Sequence, residues 1–309
     1  MKVTVEEQVE RRTLKRTLRL PFDTSEARTT LRILRSSPLS IIGAAIALAF
    51  VTCAVLTWST NNAILPYDPN AISTGTILLP PSFAHLLGTD DLGRDVLSRV
   101  LASTPIDAEV SFSVVGLAVV LGLITGGIAG YVGGWLEEVV MRVTDIFLAF
   151  PGIVLALAIA AALGPSILHS ILAIAPVWWP SYTRLARGET LSTKSLQFVE
   201  ASKAVGQRDI FIIIRHIIPN IIPVLLVYAT LDIGNVILTF SVLSFIGLGA
   251  QAPTPEWGLM TVQLEQYLRS APWCPLAPGL AILIVAIAFS LLGDGLRDAL
   301  DPSRRGLFG

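Results

Sequence analysis

The chain has 309 residues, of which 53% are hydrophobic and 15% charged, with a net charge of −1 and a mean hydropathy of +0.69. A soluble domain carries about a quarter charged residues and a nucleic-acid-binding domain carries a basic surface, so the composition argues against both classes and predicts an integral membrane protein. Cys53 and Cys274 belong to no disulfide or metal-binding motif and are expected to be buried apolar residues.

Residues 1–38 form a charged N-terminal arm that contains nine Lys and Arg residues. Asp23 and Glu26 are spaced to cap a helix, in which an apolar stripe and a basic stripe run side by side from Ala27 to Arg35. Such a helix lies against anionic lipid headgroups, but an ordinary solvated arm fits the sequence equally well. Because this arm is long, the first apolar run is expected to be an uncleaved span rather than a signal peptide.

Apolar runs long enough to cross a membrane recur along the rest of the chain. Six spans are predicted, at residues 39–59, 110–133, 143–164, 166–182, 221–249 and 276–293. The fourth is short and is interrupted by Pro176 and Pro180. The fold is therefore expected to be all-α. A loop at 60–109 separates the first span from a core domain at 110–309, which contains a second long loop at 183–220.

The distribution of basic residues predicts the orientation of these spans. If both termini are cytoplasmic, 19 Lys and Arg residues lie inside and only Arg94, Arg99 and Arg269 lie outside. This asymmetry follows the positive-inside rule. The chain is therefore expected to be a multi-pass protein of the cell membrane with both ends and the 183–220 loop in the cytoplasm.

The second span carries small residues at every fourth position. Ala118 is followed by four glycines, Gly122, Gly126, Gly130 and Gly134. Because lipid provides no hydrophobic reason for helices to associate, a face without side chains favours close packing of backbones. We expect this face to pack against another helix, either within the chain or in a partner.

The loop at 183–220 is longer than a connection between two spans needs, and it has a helical pattern. A short helix over 196–204 is expected to end at Gly206, where a left-handed backbone is favoured, and a second apolar run leads to Pro219. A helix–glycine–helix unit held between two spans is suited to docking in a groove of another protein.

The residues of this loop resemble the EAA loop of binding-protein-dependent ABC importer permeases. The resemblance rests on Glu200-Ala201-Ser202, Gly206 and the run Arg215-His216-Ile217-Ile218-Pro219. It implies that Glu200, Ala201, Ser202, Gly206, Arg215 and Pro219 belong to a coupling helix that seats in an ATP-binding subunit. Two positions depart from the usual pattern, because Ser202 replaces an Ala and His216 replaces an Ile.

Further segments resemble C-type permeases of the dipeptide, oligopeptide and nickel branch of that family. They occur in family order, at residues 87–95, 149–151, 243–249, 253–258 and 292–302. The resemblance implies a B-type permease as heterodimer partner, two ATP-binding subunits that bind ATP and Mg²⁺, and an extracytoplasmic binding protein at the loops 60–109 and 250–275. Di- and oligopeptides are the expected substrates, with oligosaccharides and nickel as alternatives, because residues 103–109, Asp232 and Phe240 depart from the pattern.

The chain lacks the residues for chemistry of its own. Direct ATP hydrolysis needs a glycine loop ending in Gly-Lys, and none of Lys2, Lys15, Lys194 and Lys203 follows a glycine. The three histidines have no metal-ligand spacing, and no motif supplies a nucleophile with its base. We therefore expect a non-catalytic subunit without cofactor or metal.

The alternative is a self-sufficient secondary transporter, which places ionisable residues in mid-membrane. The sequence offers Asp232, with Asn235 one turn later and Tyr228 one turn earlier. Three roles stay open for this polar patch: a hydrogen bond to a neighbouring helix, part of the substrate path, or an ion site. The EAA-like loop favours the ATP-driven class, since a secondary transporter has no ATPase to dock.

Overall fold

The computed structural model describes residues 37–300, and the predicted arm at 1–36 and the last nine residues lie outside this range. The described chain is helical, in agreement with the expected all-α class. The helices are α1 Pro38–Ser59, α2 Val96–Val132, α3 Gly134–Leu148, α4 Gly152–Leu163, α5 Ile167–Lys194, α6 Gln197–Ala204, α7 Asp209–Ile212, α8 Ile218–Phe245, α9 Trp257–Leu264 and α10 Trp273–Leu300. A π-helical turn, Ile213–Ile217, joins α7 to α8 without a break.

The membrane-spanning helices differ from the six predicted apolar runs. Within residues 37–300, four helical runs are long and apolar enough to cross a membrane: α1, α2, the continuous run Asp209–Phe245, and α10. A fifth is reached if α3 and α4 count as one span, although they meet at an angle of 86°. The predicted number of six is not reached by length and composition, because the apolar part of α5 is short and is interrupted by His169, Pro176 and Pro180.

Helix α2 begins 14 residues before the predicted span. The Asp95 side chain caps it by accepting a hydrogen bond from the Ser98 backbone N–H at 2.8 Å. Because the first turns carry Ser, Thr, Asp and Arg side chains, no apolar run indicates this part of the helix in the sequence. The segment 96–109, predicted as part of an outer loop, is therefore helical.

The α3–α4 pair is a broken helix rather than the predicted continuous run over 143–164. Pro151 lies at the break and precedes the first residue of α4. A proline has no backbone N–H and clashes with the preceding turn, so a helix breaks there. The bend leaves α4 with only 12 residues, which is short for a membrane crossing.

The core forms where α2 packs along α5, and α8 packs against α10 and α2. The glycine face of α2 makes the first crossing very close. A Cβ atom built on Gly126 would lie 2.1 Å from the Thr183 carbonyl oxygen, and one on Gly122 would lie 2.3 Å from the Tyr182 Cβ. Gly130 meets the Arg187 carbonyl at 2.9 Å in the same way.

Gly134 does not share this crossing. It lies beyond the end of α2 with φ +63°, and a Cβ atom there would meet nothing within 4 Å. The four-residue spacing continues past Gly133, where the helix ends and the backbone turns into α3. Gly134 therefore takes no part in the packing of helices within the described chain, and its positive φ favours glycine for a different reason.

The loop before α2 is fixed by a buried charge cluster. Asp90 pairs with Arg94 at 2.6 Å and lies 3.6 Å from the Nε atom of Arg99, whose guanidinium also donates to the Pro69 carbonyl at 2.9 Å. All three side chains are buried. Removing one partner of such a group leaves an uncompensated charge, so the cluster fixes the loop on the end of α2.

Candidate functional site: the coupling segment and a polar patch on α8

The segment from α6 to the π-turn, which we call the coupling segment (residues 197–217), reverses direction at Gly206. The N–H of Gly206 bonds to the Lys203 carbonyl at 2.9 Å, and that of Gln207 bonds to the Ser202 carbonyl at 3.2 Å. This pair of bonds is a Schellman motif, and Gly206 has the left-handed φ of +77° that the motif requires. The sequence predicted this conformation from the position of the glycine.

The coupling segment has a buried side and an exposed apolar side. Val199, Ile212 and Ile217 are fully buried and fix it to the spans. Large apolar side chains are exposed on the same short segment: Val205, at 77% of its maximum, is joined by Leu196 just before it, Ile210, Phe211 and Ile214. A cluster of exposed apolar residues on this scale marks an interaction surface.

The two departures from the family pattern are in contact with each other. The Ser202 hydroxyl donates to the Phe198 carbonyl at 2.9 Å, and its oxygen lies 3.2 Å from the Nε2 atom of His216. The His216 ring also packs against Phe198 and Phe211. The two positions at which the loop departs from the EAA pattern are therefore joined by a polar contact, which the sequence did not predict.

The other predicted coupling residues have different surroundings. Glu200 and Ala201 are exposed on α6, free to meet a partner. The Arg215 guanidinium lies 5.8 Å from the centre of the Phe211 ring, a cation–π distance. Pro219 is the second residue of α8 and directly follows the π-turn, so its missing backbone N–H removes one hydrogen bond at the irregular point of the continuous run.

The polar patch on α8 includes a residue that the sequence did not indicate. The Tyr182 hydroxyl of α5 donates to the Asp232 carboxylate at 2.8 Å, and the Asn235 amide donates to the other carboxylate oxygen at 3.3 Å. Tyr228 is 41% exposed, while Tyr182 is buried. Asp232 therefore forms the hydrogen bond between helices that was one of its three predicted roles, and Asn235 and Tyr228 leave the patch open on one side.

A second buried acidic group lies far from the coupling segment. Glu256 caps α9 by accepting hydrogen bonds from the Gly258 and Leu259 N–H groups at 2.8 and 2.7 Å. Its carboxyl faces that of the fully buried Asp107 on α2, and burial raises the pKa of Glu256. Sequence reasoning missed Asp107, which lies in the segment 103–109 that departs from the family. Residues 37–300 contain no cluster of three or more metal-ligating side chains.

Comparisons with known proteins point to one family. Residues 118–306 match the model of the binding-protein-dependent transport system inner membrane component. The dipeptide transport system permease protein DppC of Alkalihalophilus pseudofirmus is 40% identical over 279 residues, which cover 90% of each chain. The nickel transport system permease protein NikC of Escherichia coli K12 is 41% identical over 257 residues, covering 83% of this chain and 93% of that one.

A solved structure has the same fold. A chain of the inward-facing MetNI methionine ABC transporter matches with a TM-score of 0.54 at 17% identity, and the match covers 66% of this chain and 97% of the other. At this identity the likeness concerns the fold alone.

Proposed function

Because this chain belongs to the binding-protein-dependent transport system inner membrane component family, as a permease subunit of an ABC importer, we propose that it forms half of a translocation path for di- and oligopeptides. The observation that carries this proposal is the coupling segment: a rigid helix–glycine–helix unit with an exposed apolar surface, held on the ends of three spans.

The exposed apolar residues of the coupling segment support docking of an ATP-binding subunit. Val205, Ile210 and Phe211 gain from burial in a groove, and the exposed Glu200 beside them is available for a basic partner group. Two ATP-binding subunits, which hold ATP and Mg²⁺, would draw the coupling segments of two permeases together as they close. This chain itself would hold no cofactor.

The polar patch on α8 supports a second permease as partner. Asn235 and Tyr228 are exposed in the single chain, and polar side chains in mid-membrane face a bundle interior or a water-filled path rather than lipid. The four or five spans recognised by length and composition in residues 37–300 are also few for a sealed path. We therefore place a B-type permease opposite this face, with Asp232 lining or orienting the path.

Orientation and topology complete the proposal. We infer six crossings, with α3–α4 as one broken span and α5 added to the four long apolar runs. The charge asymmetry supports a cytoplasmic location of both termini and the coupling segment. The segments 60–95 and 250–272, which are shorter than the predicted loops because α2 begins at Val96 and α10 at Trp273, then face outward, where an extracytoplasmic binding protein delivers substrate. The buried Asp90–Arg94–Arg99 cluster keeps the first of these loops in a fixed shape for that contact.

The test is transport by the reconstituted complex. The chain is co-expressed with its neighbouring permease, ATP-binding and binding-protein subunits, purified and placed in liposomes. Uptake of tritiated L-alanyl-L-alanine into the liposomes is measured with ATP enclosed in the liposome lumen. In parallel assays, ⁶³Ni²⁺ and a labelled maltotriose serve as the alternative substrates. We expect ATP-dependent uptake of the dipeptide.

Two results would contradict the proposal in different ways. ATP-dependent uptake of nickel or maltotriose without dipeptide uptake would replace the substrate and keep the transporter class. Uptake by this chain alone, driven by an ion gradient without ATP-binding subunits, would instead establish a secondary transporter.

A further inference from the structure

Tyr131 lies in the last turn of α2, at the point where the coupling segment meets the spans. Its side chain is only 5% exposed, although the next residue, Val132, is 59% exposed. The residues around it come from three separate elements: the last residue of α5, the last turn of α6 and the first residue of α7. Tyr131 therefore contacts α5, α6 and α7 at once.

The contacts of Tyr131 are directional and charged. Its hydroxyl donates a hydrogen bond of 2.6 Å to the Asp209 carboxylate, 78 residues later in the chain. The ammonium groups of Lys203 and Lys194 lie 4.9 and 5.4 Å from the centre of its ring, and Lys194 also donates to the Tyr131 carbonyl at 2.5 Å. Both ammonium groups are within the range of a cation–π interaction.

These contacts add a link that the backbone does not provide. The coupling segment is joined covalently only to α5 and α8, and each connection contains a break or an irregular turn, at Ser195–Leu196 and at Ile213–Ile217. Helix α2 has no covalent connection to the segment, yet it packs closely along α5 through its glycine face. Tyr131 connects the segment to this α2–α5 pair.

We infer that Tyr131 is a positioning residue that clamps the coupling segment to the end of α2, so that a displacement of the segment moves α2 and α5 together. This inference rests on the proposed function, because it assumes that ATP-binding partners move the segment. The hydrogen bond to Asp209 fixes the start of α7, and the ring holds α6 through Lys203. Without the clamp, the buried Val199, Ile212 and Ile217 would still hold the segment on the spans, but α6 and the start of α7 would move relative to α2, and α2 and α5 would follow only in part.

The experiment compares three variants in the reconstituted complex: Tyr131→Phe, which keeps the ring but loses the hydroxyl, Asp209→Ala, which removes the acceptor of its hydrogen bond, and the double variant. Glu138→Gln is the matched control, since it removes an exposed carboxylate from α3 that pairs only with Arg142 one turn later. ATP hydrolysis and uptake of tritiated L-alanyl-L-alanine are measured in the same liposomes, and co-purification of the ATP-binding subunits is recorded.

We expect each single variant to lower the dipeptide imported per ATP hydrolysed by about tenfold, the factor that corresponds to a lost hydrogen bond to a charged group. The double variant should be no worse than either single one, because both remove the same bond. Hydrolysis, co-purification and the control should stay close to the unaltered complex. Asp209 is exposed, so its variant gives the result even if Tyr131→Phe fails to fold.

The inference is overturned if the import per ATP is unchanged, if the two single effects add in the double variant, or if hydrolysis and uptake fall in parallel. The unaltered complex separates this failure from that of the proposed function. If the unaltered complex binds no ATP-binding subunit or shows no ATP-dependent dipeptide uptake, the proposed function is wrong. The inference about Tyr131, which rests on it, is then wrong as well.

Discussion

Gly126→Ala should destabilise the chain, although alanine is the better helix former. A Cβ atom at this position would lie 2.1 Å from the Thr183 carbonyl oxygen, 2.9 Å from its carbonyl carbon and 3.0 Å from the Ala186 Cβ. The first two are backbone atoms that cannot rotate away, so α2 and α5 must separate by about 1 Å along their crossing. Inserting a methyl group into such a contact costs about 1–3 kcal/mol.

Gly116→Ala is the matched control for this change. Gly116 lies in the same helix, and a Cβ atom there would meet nothing within 4 Å. Both variants gain the same helix propensity, about 0.5–1 kcal/mol over glycine. The difference between the two variants therefore isolates the packing cost, and Gly126→Ala should be the less stable by about 1–3 kcal/mol.

The assay is the fraction of monodisperse protein that remains after heating in detergent, measured by size-exclusion chromatography for both variants and the unaltered chain. Gly116→Ala should melt at or slightly above the unaltered chain, and Gly126→Ala several degrees below it. Equal melting of the two variants would refute the close crossing of α2 and α5.

Three further predictions concern the path, the coupling segment and the topology. Asp232→Asn should leave assembly intact, because the amide oxygen still accepts the hydrogen bond from the Tyr182 hydroxyl, but it should lower dipeptide uptake. Normal uptake with normal substrate-stimulated ATP hydrolysis would show that the charge has no role. Gly206→Val should abolish uptake in a chain that still inserts, because the φ of +77° at this position strains a β-branched residue by about 1 kcal/mol or more. Glu200→Ala should weaken uptake. Normal transport by both variants would show that the segment is only a connector. A cysteine at position 195, in a chain without its two native cysteines, should react with an impermeant maleimide only in inside-out vesicles, and labelling of intact cells would contradict the topology.

The sequence predicted the elements whose signals are local. An apolar run of sufficient length indicates a span, and a glycine after a short helix indicates a left-handed turn, so α1, α10 and the Gly206 conformation follow from a few neighbouring residues. The charged motif at 87–95 was identified by resemblance, and its buried ion pairs give that motif a physical reason.

The elements that were missed depend on distant contacts. The first turns of α2 carry polar side chains that are satisfied by the loop before them, so hydropathy alone assigned them to the loop. Tyr182 and Asp232 are 50 residues apart, and no periodicity connects them. The glycine spacing predicted the packing face but not the end of its helix, so it includes Gly134, which lies beyond α2 and makes no packing contact within the described chain.

The π-turn between α7 and α8 sets the angular phase of the run Asp209–Phe245. An α-helix advances by about 100° per residue, and a turn of the π type accommodates one extra residue. The side chains of the coupling segment are thus rotated by about a quarter of a circle, relative to Asp232, from the direction that an uninterrupted α-helix would give them. The number of residues between positions 209 and 232 is therefore fixed, because one residue more or fewer rotates one end of the run by about 100° relative to the other. Evolution of the two surfaces can exchange their side chains freely, but it cannot add or remove a single residue between them without turning one surface away from its partner.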